Sequence, residues 1–136
     1  MPGISEYNKG VVRRAFEAWR SGNGSVFDLM TPDATWTIVG NTPVSRTYRG
    51  KSDFMDTMIK PFNARLSTRL VPTAPTLYGD ADTVIAYFSA QATARDGRPY
   101  RNTYTWYLQL RDDQIVNAIA FFDTVDFNDL WNRVAA

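Results

Sequence analysis

Asp, Glu, Tyr and Asn carry the chemistry available to this chain, because it contains neither histidine nor cysteine. Those absences exclude a Ser–His–Asp triad, a thiolate nucleophile, a zinc finger and any imidazole-held metal, and no metal site is expected. Proton transfer would fall to carboxylates, to tyrosines or to Lys9, Lys51 and Lys60. Asp123 is the acid that ends the apolar run 115–122, beside Phe121 and Phe122. Facing a pocket, it would lose solvent, its pKa would rise, and it would act as a general acid or base. Heading the helix read from Val125 onward, Asp123 or Thr124 would instead accept backbone N–H bonds, which would lower its pKa. The two readings carry opposite electrostatics.

A second constellation lies in YRNTYTW, where Asn102, Tyr104 and Trp106 alternate and so share one face of a strand. An amide and a phenol can hold a carbonyl, a hydroxyl or a water, and an indole can stack on a flat or alicyclic body. The same face would serve equally as core, with its polar groups satisfying buried backbone. Trp19 and Trp131 fall on helical apolar stripes and read as packing residues. Arg65, Arg69, Arg95, Arg98 and Arg101 could gather on an outer sheet face. The glycine-containing turns match no phosphate-binding pattern, so a nucleotide cofactor has no support.

The elements that must position these residues run helices first, strands afterwards. Apolar residues at helical spacing predict a helix over 5–21, with Ser5 as cap and Gly22 as stop. A short helix follows over 25–30, closed by Thr31-Pro32-Asp33. A strand over 34–39 and an extended piece over 47–49 lead into a third helix over 52–59, ahead of Pro61. Period-two patterning then predicts strands over 66–78, 83–94, 100–111 and 114–123, separated by turn residues. A short amphipathic helix over 125–134 ends the pattern. Helices followed by an antiparallel meander make an α+β layer, and a twisted sheet can curl around its helices to leave a pocket.

The composition agrees with one folded domain spanning 1–136. It is 44% hydrophobic and 21% charged, with aromatics at 14%. Lys+Arg 15 against Asp+Glu 14 leaves +1, which implies no general attraction to nucleic acid or to an anionic membrane. No apolar run approaches the ~20 residues of a membrane span, and the N-terminus lacks a signal-type apolar core. A cytoplasmic location is expected.

Several segments carry a family resemblance: AFEAWRSGNGSVFDLMTPDATWTIVG (15–40), TYRGKSDF (47–54), RDGRPYRNTYTWYLQLRDDQIVNAIAFFD (95–123) and FNDLW (127–131). Together they resemble the SnoaL-like branch of the NTF2-like superfamily, which includes ketosteroid isomerases, limonene epoxide hydrolases and polyketide cyclases. The resemblance implies a cone-shaped α+β barrel, with N-terminal helices packed on a curved, mostly antiparallel sheet and a short C-terminal helix. It also implies a hydrophobic small-molecule pocket and a homodimer. The implied activity is cofactor-independent isomerase, cyclase, dehydratase or hydrolase chemistry, the alternative being a non-catalytic binding or dimerising module. Asp123 would be the acid–base group, with Trp36, Tyr48, Asn102, Tyr104 and Trp106 contacting the substrate. The positions at which such relatives hold their acids and helix-one tyrosine read Ala15, Ile38, Trp106 and Ala120 here.

Overall fold

A computed structural model describes residues 3–136. Helix α1 (Ile4–Ser21) forms because Val11, Val12 and Phe16 repeat on one face and bury there. It ends at Gly22, whose φ of 81° is the left-handed geometry that lets a backbone N–H fold back onto Trp19 O. Its start differs from the expectation. Gly3 is the cap, and Ser5 lies inside the first turn, its hydroxyl donating to Ala81 O at 3.0 Å. The next element is a single 3-10 turn (Val26–Leu29), held by a reciprocal cap. Ser25 Oγ accepts from Phe27 N and Asp28 Oδ2 accepts from Ser25 N, each at 2.9 Å.

Strand β1 (Met30–Ile38) begins earlier than the sequence suggested. Its pairing with β7 (Gln114–Phe122) shifts register between Met30 and Thr35, where Pro32 has no N–H to give a ladder. Strand β2 (Thr47–Arg49) then pairs back onto β1. Helix α2 covers 51–63 as an α turn (Lys51–Phe54), a π-helical stretch (Met55–Ile59) and a further α turn (Lys60–Asn63). The expected stop before Pro61 does not occur. The wider π turn directly precedes the proline, where a regular α-helix would lose a hydrogen bond and crowd a carbonyl.

The expected strand over 66–78 is interrupted. The gap falls at 73–75, after Pro72 and up to Pro75, leaving β3 (Val71–Pro72) and β4 (Thr76–Asp80) to pair with separate stretches of β5 (Thr83–Thr93). Strand β6 (Pro99–Arg111) follows, and its link to β7 is Asp112-Asp113, both at positive φ, as a tight hairpin requires. Helix α3 (Thr124–Arg133) closes the chain.

The sheet order is β2-β1-β7-β6-β5-β3, with β4 also on β5. Pairing is antiparallel except between β1 and β7, which run parallel. The sheet is curved but unclosed, so the expected barrel is an open one, with β2 at one edge and β3 and β4 at the other. On its inner face Asn102, Tyr104, Trp106, Leu108 and Leu110 are all buried, as the alternation predicted. Burying each large apolar side chain stabilises by roughly 1.5–3 kcal/mol, and Phe16 and Trp36 are among those fully enclosed. Among the described residues no helix is long and apolar enough to cross a membrane.

Candidate functional site

A cavity of about 510 Å³ lies between the inner sheet face and the helices. The end of α1 contributes Trp19, the 3-10 turn Phe27, and α2 contributes Phe54, Met58 and Phe62. From the sheet come Trp36 and Ile38 of β1, Tyr104 and Trp106 of β6, and Ala120 and Phe122 of β7. The rings brace one another. Trp36 stacks on Phe54 at 4.7 Å and meets Trp106 edge-on at 5.1 Å, while Trp19 lies parallel to Trp106 at 5.9 Å. Trp19 is held by its indole N–H, which donates to Leu70 O at 2.9 Å.

Among the described residues of the wall, none is a carboxylate or a lysine, and the one cation is Arg69. Its guanidinium is already engaged, donating to Trp19 O at 2.6 Å and Arg20 O at 2.9 Å across the end of α1. No cluster of potential metal-ligating side chains occurs among the described residues. Ile38, Trp106 and Ala120, where the resemblance places relatives' acids, do border the cavity, but with apolar groups.

The sequence candidates divide by place. Trp36, Tyr104 and Trp106 stand in the wall. Tyr48 does not; it is buried under Arg46, with its hydroxyl donating to Val44 O at 2.7 Å. Burial holds its phenol above the usual pKa. Asn102 is also outside the wall and borders a separate depression with Thr73, Gln91, Arg101 and Asp126. Its oxygen accepts from Thr103 N at 2.7 Å and Asp123 N at 3.1 Å. Its NH₂ donates to Tyr100 Oη at 2.8 Å and Asp123 O at 3.0 Å. Asn102 thus ties the end of β7 to β6.

Asp123 is exposed and absent from the wall; its Oδ1 accepts from Val125 N at 2.9 Å as the cap of α3. Of the arginines that could gather on an outer sheet face, Arg65 is buried, 3.6 Å from the Trp131 ring and donating to Pro61 O. Loss of solvent lowers its pKa.

A buried phenol pair stands beside the cavity. Tyr100 Oη and Tyr104 Oη lie 2.8 Å apart, both side chains buried. Burial pushes Tyr100 up to about 12 and Tyr104 well above the ordinary value, so both stay neutral phenols. Sequence reasoning missed the share of α2. Phe54, Met55, Met58, Ile59 and Phe62 recur at helical spacing, a signal cut short by ending that helix before Pro61.

Comparison with known proteins agrees with this architecture. No curated protein matches the sequence. Bal32a, from a soil-derived mobile gene cassette, shares the fold with a TM-score of 0.77 at 17% identity, over 95% of this chain and 99% of that one. A candidate isomerase from Bacillus subtilis gives 0.69 at 22%, over 95% and 93%. An NTF2-like protein of unknown function from Burkholderia pseudomallei gives 0.71 at 20%, over 90% and 95%. The SnoaL-like domain family itself matches residues 12–118, from within α1 into β7. With that match spanning most of the chain, the protein belongs to the SnoaL-like domain family, and its fold is the one seen in NTF2-like proteins.

Proposed function

We propose that this protein binds a small, mostly apolar molecule in the aromatic cavity and does not use a carboxylate to transform it. The observation carrying this reading is the composition of the wall: stacked indoles and phenyl rings, with, among the described residues, no acid and one cation already committed. A volume of about 510 Å³ falls in the range of roughly 300–1,000 Å³ typical of drug-sized ligands. Apolar surface supplies affinity at such a site, and a few polar groups set orientation. Proton-transfer chemistry would need a base here, and Asp123 would have to leave the Val125 N–H to become one.

The test is a titration of the protein with ethylnaphthalene, read by quenching of the tryptophans in the wall. Saturable quenching with unchanged probe recovered afterwards supports binding without turnover. Ala120→Phe should fill the cavity from β7 and abolish the quenching while leaving the circular dichroism intact. Non-saturable quenching, or quenching indifferent to Ala120→Phe, would sink the proposal.

A further inference from the structure

The hydrogen bonds around Tyr100 leave one proton without a destination. Asn102 Oδ1 faces two backbone N–H groups, Thr103 N and Asp123 N, so the amide orientation is fixed by its partners. The NH₂ therefore faces Tyr100, and Tyr100 Oη is an acceptor in that contact at 2.8 Å. The adjoining contact between Tyr100 Oη and Tyr104 Oη uses a single phenolic hydrogen, and each phenol owns one. One hydroxyl hydrogen of the pair consequently has no acceptor among the described residues.

Which tyrosine holds it depends on where an acceptor could be. If Tyr104 donates to Tyr100, the spare hydrogen is on Tyr100, buried and outside the cavity wall. A buried donor with no partner is strongly disfavoured. If Tyr100 donates to Tyr104, the bonds run in one direction, Asn102 to Tyr100 to Tyr104, each polarising the next. The spare hydrogen then belongs to Tyr104, which is part of the cavity wall. The burial that keeps both phenols protonated ensures that this hydrogen stays in place at physiological pH.

We infer that the cavity takes a neutral molecule whose apolar body rests on the aromatic wall and whose carbonyl-type oxygen accepts the Tyr104 hydroxyl hydrogen. This rests on the binding function proposed above and names its ligand class. Neutrality follows from the wall, where Arg69 is bound to two carbonyls and offers no free cation to a carboxylate.

Acetylnaphthalene and ethylnaphthalene share a ring system and differ in one carbonyl. Binding of each to the wild type and to Tyr104→Phe separates the hydrogen bond from the apolar contact. The variant should weaken acetylnaphthalene about three- to tenfold, the range expected for one neutral hydrogen bond, and leave ethylnaphthalene unchanged. Infrared spectra should show the bound carbonyl stretch lowered in the wild type and not in the variant. Equal effects on both probes, or an unshifted stretch in the wild type, overturn the inference and leave the cavity as a binding site. Failure of both probes to bind the wild type overturns the cavity reading as well. Should Tyr104→Phe not fold, the wild-type stretch decides alone.

Discussion

Asp123 illustrates how one carboxylate can be claimed by the backbone before chemistry reaches it. Its Oδ1 accepts from Val125 N, while its own N–H and C=O are both bonded to the Asn102 amide. Removing the cap with Asp123→Ala should cost about 1 kcal/mol of stability, and Asp123→Asn, an equally good cap, should restore most of it. Urea denaturation measures both, and probe affinity should be the same in all three proteins. The sequence made Asp123 conspicuous but left its role open, because cap and catalyst both call for an acid beside an apolar run. The structure shows the cap: the first turn of α3 starts at the next residue, and Asp123 accepts from the Val125 N–H. Asn102 was legible as a buried polar residue of the inner face. That its amide would bond backbone and Tyr100 depended on β7 ending beside it.

At the level of elements, the period-two strands were the easiest to read and the proline-containing segments the hardest. β5, β6 and β7 alternate over long stretches, and one face of each is buried, so pattern and burial coincide. Around Pro32, Pro61, Pro72 and Pro75 a local rule met a tertiary answer: a register shift, a π turn and a strand divided in two. Gly79 shows the same dependence. It reads as turn chemistry, yet it lies inside β4 where that strand presses on α1. A Cβ there would stand 2.9 Å from Ser5 Cβ, too close for either to keep its place. Gly79→Ala should therefore destabilise by about 1–3 kcal/mol in urea unfolding, as overpacking does. The loss should shrink in a Ser5→Gly background, which removes the opposing atom.

For the molecule as a whole, the outward sheet face is the feature the cavity does not use. Tyr78, Ile85, Tyr107 and Ile119 form one row across β4, β5, β6 and β7. Tyr87, Thr105 and Phe121 form the next, and Tyr107 meets Phe121 edge-on at 5.9 Å. Neither row carries a charge, and Tyr78, Tyr87 and Phe121 are exposed by 56%, 52% and 44%. Exposed apolar surface of this kind is what protein interfaces use, and we propose that two copies of the chain pair through it. Sedimentation velocity should find a dimer in the wild type and a monomer in Phe121→Arg combined with Tyr107→Arg, with ligand binding retained. A monomeric wild type at high concentration would refute the pairing.

Taken alone, the sequence determined the features that depend on local pattern and on residue inventory. The α+β order and the buried face of β6 rest on spacing, and the SnoaL-like resemblance on short stretches of matching residues. The exclusion of imidazole and thiol chemistry rests on two missing residue types. What only the tertiary structure decided was adjacency. It set β1 parallel to β7, brought α2 over the sheet, and put Ile38, Trp106 and Ala120 around one cavity while turning Asp123 out to cap α3. A side chain's type is written in the chain, but its solvent, its neighbours and the destination of its hydrogen bonds are set by segments distant in sequence. Those surroundings decide whether an acid lines a cavity or caps a helix, and whether a tyrosine lies in the core or in a cavity wall.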